Sequence, residues 1–163
     1  MRPLSADHAA AVVAWRNDPA NAACFLTQDR LTHDGQLAWT QKQQADRNDH
    51  THVAELSGRP VGMVAIYGVD EAAGEAEYGR ILVDRAWRRR GLGHAISAWA
   101  LDLAFTRLGL KRVYAHCLAA NHPIHTLIGQ LGFAESARDA GTVRFEISRD
   151  RWLARTELRK EPL

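Results

Sequence analysis

Residues 81–94 read ILVDRAWRRRGLGH, and this stretch decides the fold. An apolar run typical of a strand ends at Asp84, arginines and glycines follow, and a helical pattern begins at Gly91. The first turn of a helix leaves backbone N–H groups unpaired and carries the positive end of the helix dipole, so it attracts anions. Glycine lets a phosphate approach the backbone, and arginine adds charge with forked donors. The stretch therefore predicts a site for a phosphate-bearing cofactor.

Two common nucleotide-binding motifs do not fit this stretch. A dinucleotide fingerprint needs a third glycine at the position where Ile96 stands. A P-loop needs Gly-Lys-Ser/Thr, and the chain has Gly93-His94-Ala95 instead. Both readings are therefore excluded for this loop.

The segments around the loop predict a mixed sheet with helices on both faces, an α/β (α+β) fold. The helix of residues 91–108 joins a strand at 75–83 to one at 112–118, and such a crossover makes the two strands parallel. Residues 52–56 and 61–69 precede these with short turns, which predicts an antiparallel meander. Further segments complete the prediction: a strand at 2–4, helices at 5–15, 34–45 and 121–131, and an edge strand at 142–148.

Length and composition indicate one small globular domain. The 163 residues have 46% hydrophobic and 25% charged residues, so we expect one domain over 1–163 with its core in about 1–148 and a polar tail or helix at 150–163. The net charge of +2 disfavours a dedicated nucleic-acid protein, and no apolar run is long enough for a membrane span. Two cysteines fit a reducing compartment, and we expect a cytoplasmic protein.

Several motifs together resemble the GNAT family of acyl-CoA N-acyltransferases. The segment Arg88-x-x-Gly91-x-Gly93 is similar to the family's Q/R-x-x-G-x-G/A pyrophosphate loop, and it follows a strand ending Ile-x-Val-Asp. Downstream, residues 121–133 form Asn-x₁₀-Gly-Phe, which is similar to the family's second cofactor segment. The segments at 2–7 and 15–19 resemble the branch that holds ribosomal-protein and amino-sugar acetyltransferases. The resemblance covers about residues 1–148.

The resemblance implies acetyl-CoA as acyl donor, no metal, and two parallel strands that splay at the cofactor site. The strand of residues 81–83 would pair with the pantetheine arm, and the loop after it would bind the pyrophosphate. Asn121 would hold the cofactor near its reactive end, although it also fits a helix N-cap. The implied cofactor positions are Ile81, Leu82, Val83, Arg88, Arg89, Arg90, Gly91, Leu92, Gly93, His94 and Asn121.

Two residues stand where family members keep a catalytic carboxylate. Glu77 lies on the strand before the cofactor loop, and His116 lies on the next strand. Acetylating an amine needs a neutral nitrogen, so a base is useful, and histidine titrates near neutral pH. The alternative is that Glu77 is a solvated strand residue and His116 a satisfied core residue.

One position departs from the family pattern. Many members have a tyrosine that protonates the leaving thiolate where this chain has Ile128, and an alkyl group cannot donate a proton. Either Tyr78, Tyr114 or Cys117 takes that role, or the thiolate leaves unprotonated. Cys117 itself is interpreted as a small buried hydrophobe and not as a nucleophile. His122 and His125 have a spacing that can bind metal, but no further ligand stands at suitable spacing.

The sequence therefore predicts an N-acetyltransferase that acts on a primary amine by direct attack in a ternary complex. A small acceptor such as an amino sugar and a protein N-terminus are both open, and Arg16 with Arg80 favours an anionic small molecule. A non-catalytic acyl-CoA-binding domain is the alternative of another class. The family often dimerises, so a homodimer is an open expectation.

Overall fold

The computed structural model describes residues 1–27 and 29–158. A seven-stranded sheet has the strand order β1-β2-β3-β4-β5-β7-β6. Its strands are β1 (Arg2–Pro3), β2 (Asp49–Leu56), β3 (Arg59–Asp70), β4 (Glu75–Val83), β5 (Arg112–Leu118), β6 (Ala134–Arg138) and β7 (Thr142–Ser148). The helices are α1 (Ala9–Asn17), α2 (Pro19–Ala22), α3 (His33–Ala45), α4 (Leu92–Asp102), α5 (His122–Leu131) and α6 (Arg149–Leu158).

Strand direction confirms the predicted mixed sheet. All neighbouring strands are antiparallel except β4 and β5, which the α4 crossover makes parallel. That parallel pairing is short, from Glu75 opposite Arg112 to Glu77 opposite Tyr114. Both strands continue beyond this point, to Val83 and Leu118, without pairing to each other. The splay implied by the family resemblance is therefore present.

Helices cover both faces of the sheet. Because side chains alternate along a strand, the adjacent residues Met63 and Val64 of β3 belong to different buried clusters. Met63 packs with Val12 and Trp15 of α1, whereas Val64 packs in the larger cluster that includes Leu101 of α4. The sheet thus separates an α1/α3 layer from an α4/α5 layer.

One expectation about the end of the chain is wrong. Residues 142–148 do not form an edge strand, because β6 pairs along the outer side of β7. Every β6 residue is exposed, so the segment lacks the alternation that marks a half-buried strand. Of the two alternatives expected after residue 150, a polar tail or a helix, the described residues form the helix α6. This helix packs on the core, since Trp152 is 2% exposed and its indole N–H donates to Asp102 at 2.9 Å.

Candidate active site

A cavity of about 500 Å³ opens where β4 and β5 separate. One side is formed by β4 residues 77–82 and β5 residues 115–118, and the other by α1, the loop of residues 24–31 and α3. The predicted positions Ile81, Leu82, Glu77, His116 and Asn121 line it, together with Arg16 and Arg80. The splay thus brings predicted cofactor, catalytic and substrate residues around one cavity.

Glu77 and His116 meet on the floor of this cavity, although they are 39 positions apart in sequence. The Nδ1 atom of His116 lies 3.3 Å from Oε1 of Glu77. The two side chains are 36% and 20% exposed, so both remain accessible from the cavity. The alternative of a satisfied core histidine is thereby disfavoured, while the catalytic role stays a prediction.

Tyr67 is a third member of this group that sequence reasoning missed. It is the β3 residue opposite Glu77 in the sheet, so its hydroxyl lies near the Glu77 carboxylate. Burial, and then the nearby negative charge of Glu77, raise the pKa of Tyr67 above its ordinary value. A protonated Tyr67 can therefore serve as a donor toward Glu77. The meander register could have found it, because the residue opposite Glu77 follows from the hairpin pairing.

The residues named as proton donors for the thiolate differ in position. The Tyr78 hydroxyl is buried and lies 2.7 Å from the Ser97 hydroxyl, and burial raises the pKa of Tyr78. Cys117 lines the cavity, and burial raises the pKa of its thiol to about 11. This protonated thiol agrees with the interpretation that Cys117 is not a nucleophile. Ile128, in the position of the family tyrosine, is fully buried in the core.

The loop between β4 and α4 has the backbone geometry of an anion site. Gly91 precedes α4 with a φ of 77°, and a side chain there would point into open space. Arg89 also has a positive φ of 60°, and both Arg89 and Arg90 are exposed. Gly93 lies close to Val83 of β4 and Leu127 of α5. The first turn of α4 therefore packs against both of these elements. An open helix start flanked by two exposed arginines fits the pyrophosphate of acetyl-CoA.

Arg88 already has several protein partners. Its Nε donates to the Val83 carbonyl at 3.1 Å, and its Nη2 donates to Oδ1 of Asn21 at 2.7 Å, with Asp18 at 3.8 Å. Asn21 in turn donates to the Trp15 carbonyl. Arg88 therefore connects the cofactor loop to α1 and α2, a role that the motif did not predict. Its contact with a pyrophosphate stays a prediction.

A second connection runs from Trp15 to the same loop. The Trp15 indole N–H donates to Asp84 at 2.9 Å, and the other Asp84 oxygen accepts from the backbone N–H of Ala86. These bonds, the indole bond first, lower the pKa of Asp84. Asn121 caps α5, as one of its two interpretations expected, and it also donates to the Cys24 carbonyl at 3.2 Å. Its contact with the cofactor stays a prediction. The backbone at Cys24 is thus tied to the start of α5.

The two predicted acceptor arginines have different surroundings. Arg80 sits at a bulge of β4 with a φ of 53°, and it donates to Asp49 at 2.6 Å and to Thr51 at 2.7 Å. Arg16 stacks on the Phe25 ring, with 3.7 Å from the guanidinium carbon to the ring centroid, and donates to the Thr27 carbonyl at 3.2 Å. Arg80 is therefore paired with a carboxylate, whereas Arg16 has no carboxylate at ion-pair distance among the residues that the structure describes.

The described part of the chain has no candidate metal site and no helix that could span a membrane. No group of three or more His, Cys, Asp and Glu residues there could hold a metal ion. His122 and His125 contact each other edge to face, and the Nε2 of His125 lies 3.0 Å from the Leu118 carbonyl. None of the described helices combines the length and apolar character that a membrane span needs.

Comparisons with known proteins agree with this geometry. The family model described as the acetyltransferase (GNAT) family matches residues 10–133. Spermidine N-acetyltransferase from Vibrio cholerae, in complex with CoA and spermine, superposes with a TM-score of 0.85 at 19% identity, covering 93% of this chain and 96% of that chain. A dodecameric structure of spermidine N-acetyltransferase from Vibrio cholerae in an intermediate state gives a TM-score of 0.79 at 18% identity, covering 95% and 96%.

At these identities the structural likeness shows the fold alone, and no curated protein sequence matches the chain significantly. The family model carries the assignment, because it spans α1 through the end of α5 and includes both cofactor segments. The chain therefore belongs to the GNAT family of acetyltransferases and is an acetyl-CoA-dependent N-acetyltransferase.

Proposed function

We propose that this protein acetylates the primary amine of a small molecule by direct attack in a ternary complex. The observation that carries the proposal is the Glu77–His116 pair at the point where β4 and β5 separate. That pair faces a cavity large enough for a small acceptor beside the pantetheine arm. Binding both reactants in one cleft makes the transfer effectively intramolecular.

In this proposal His116 is the base. Its Nδ1 faces the Glu77 carboxylate, which favours the tautomer with the proton on Nδ1 and leaves the Nε2 lone pair available. Nε2 takes a proton from the attacking amine as the new N–C bond forms. Glu77 stabilises the resulting imidazolium, and Tyr67 holds the carboxylate in place. Glu77 and Tyr67 thus act through His116.

Acetyl-CoA supplies the activated acetyl group, and the chain's own backbone would orient it. Beyond Glu77, the β4 edge that faces β5 lies outside the sheet ladder, so its peptide groups can pair with the pantetheine arm and polarise the acetyl carbonyl. The C–S bond breaks as the N–C bond forms, and the thiolate takes its proton from water, because burial raises the pKa of the Cys117 thiol to about 11 and makes it a poor donor. Tyr78 is a poor donor because its hydroxyl is buried against Ser97.

The acceptor class is a proposal of its own. The structural neighbours described above are spermidine N-acetyltransferases, which supports a small-molecule amine, and nothing supports the alternative of a protein N-terminus. The amino sugar expected from the sequence is one such amine.

Two further parts of the proposal concern assembly and compartment. A dodecameric structural neighbour supports a homo-oligomer. The two free thiols, Cys24 and Cys117, support a reducing cytoplasm.

Thiol release from acetyl-CoA against a panel of small amines and a short peptide tests the proposal. We expect turnover with small amines, and we expect His116→Ala and Glu77→Ala each to lower kcat by about 100-fold, the usual size of a lost proton-transfer group. His33→Ala and Glu71→Ala are matched controls, because both residues are exposed and neither lines the cavity. Acetyl-CoA binding without turnover on any amine would instead favour a binding or sensing domain. Normal rates for both cavity variants would remove the base assignment.

A further inference from the structure

We propose that Arg16 binds a carboxylate on the acceptor, and that the acceptor is an amine with an apolar body and one carboxylate, such as an apolar amino acid. This inference rests on the proposed function and names the substrate class of the same cavity. It differs from both the amino sugar expected from the sequence and the polyamine of the structural neighbours. Three observations support it. The acceptor side of the cavity has apolar walls, its acidic and basic side chains suit an anionic ligand, and Arg16 has no carboxylate partner among the described residues.

The walls on the acceptor side are mainly hydrocarbon and aromatic. They come from α1, the loop of residues 24–31, α3 and β3. Leu26 is 54% exposed, which leaves a large apolar side chain at the cavity for a ligand to cover. The residues that form this surface are Val12, Phe25, Leu26, Leu31, Trp39 and Met63.

Such walls suit neither a sugar nor a polyamine. A sugar needs polar partners for its hydroxyl groups, yet Gln36, a polar side chain on this wall, donates to Thr40 instead. A polyamine needs several carboxylates, and Glu77 is the one acidic side chain among the described lining residues. Glu77 is already engaged by His116 and Tyr67. The cavity therefore has no acidic group to spare for a second ammonium.

The two cations of the cavity are not equivalent. Arg80 forms an ion pair with Asp49 at 2.6 Å and so carries its own counter-charge. Arg16 is half-buried, and within the described ranges no carboxylate lies at ion-pair distance from it. Its hydrogen bonds to the Thr27 carbonyl and hydroxyl use only the Nη2 atom. A guanidinium has five N–H donors, so most of its donors remain for a ligand.

The stacking of Arg16 on Phe25 prepares it for a carboxylate. With its central carbon 3.7 Å from the centre of the Phe25 ring, the guanidinium is held at the cavity by the ring, and its remaining N–H groups can bind two carboxylate oxygens at once. A half-buried cation without a counter-ion is costly, and burial lowers the pKa of Arg16 for that reason. A carboxylate ligand removes this cost. In an α-amino acid the amine and the carboxylate share one carbon, so the amine would stand beside the bound carboxylate on the side of Glu77 and His116, and the apolar side chain would lie along the apolar wall.

Binding measurements with paired ligands test this inference apart from catalysis. In the presence of CoA, calorimetry would compare L-leucine with isoamylamine and L-phenylalanine with phenethylamine, which differ only in the carboxylate. We expect each amino acid to bind at least about 10-fold more tightly than its decarboxylated partner. We expect Arg16→Gln to weaken amino-acid binding by about 30-fold, the low end for a lost charge pair, and to leave amine binding within about 3-fold.

Two further variants keep the result interpretable. Arg16→Lys keeps the charge and loses the fork, so it should fall between the parent and Arg16→Gln. Arg30→Gln is the matched control, because Arg30 is exposed and does not line the cavity. Equal binding of L-leucine and isoamylamine to the parent protein would overturn the inference and leave the proposed function intact. Amino-acid binding that depends on Arg16 without thiol release on any amine would instead overturn the proposed function.

Discussion

The cofactor side and the acceptor side of the cleft are built in different ways. On the cofactor side, the predicted anion site would consist of backbone N–H groups at the start of α4, which Gly91 precedes within a short run of sequence. On the acceptor side, the walls are side chains of α1, α3 and β3 that meet across the sheet. A site built from the backbone of one short segment can be predicted from the sequence. A site built from side chains that are distant in sequence cannot.

The two sides are nevertheless connected by a small set of hydrogen bonds. Arg88 reaches Asn21 across 67 positions, and Asn121 reaches the Cys24 carbonyl across 97 positions. Trp15 reaches Asp84 across 69 positions. Because these bonds join the cofactor loop to the acceptor loops, occupying one side should affect the geometry of the other.

Arg88→Ala is expected to have the largest effect. It tests whether the cofactor side and the acceptor side of the cleft depend on each other. The change leaves the Val83 carbonyl and the Asn21 amide without their charged partner, and such bonds contribute about 1.5–3 kcal/mol each. Because the Arg88 side chain is 33% exposed and water replaces part of these bonds, we expect the free energy of unfolding to fall by only about 2–3 kcal/mol. We also expect both the Kd for acetyl-CoA and the KM for the amine to rise. Arg85→Ala, an exposed arginine of the same loop, is the matched control. A rise in the Kd alone would show that Arg88 serves only the cofactor.

A smaller effect is expected for the backbone of the cofactor side. Gly91 and Gly129 both have open space where a side chain would go, but only Gly91 has a positive φ. We therefore expect Gly91→Ala to lower the free energy of unfolding by about 1–2 kcal/mol, and Gly129→Ala to be neutral or to raise it by up to about 1 kcal/mol. Chemical denaturation would measure both values. Equal stability changes would show that the left-handed conformation at Gly91 carries no cost for alanine.

Much of the fold followed from local pattern. The meander, the crossover helix and the splay of β4 and β5 were predicted from strand periodicity, turn residues and the resemblance. β6 was missed because its side chains are all exposed and show no alternation. The packing of α6 was not predicted, because it depends on a few apolar residues, Trp152 and Leu153 among them, in a helix rich in charged residues.

The acceptor side was predicted less completely for a physical reason. Sequence identified Arg16 and Arg80 as cations near the site but could not show that Asp49 neutralises only one of them. That distinction depends on a bulge in β4 and on pairing between segments that are 31 positions apart. Tyr67 was missed in the same way, because its contact with Glu77 arises from strand register.

The central claim is that Glu77 and His116 act as one proton-transfer unit, and a double-mutant cycle on kcat tests it most directly. Residues that act as a unit show strongly non-additive effects when both are changed. We predict that Glu77→Gln lowers kcat by about 10-fold in the parent protein but by less than about 2-fold when His116 is already alanine. The same 10-fold loss in both backgrounds would contradict the account, because it would show that Glu77 acts without His116.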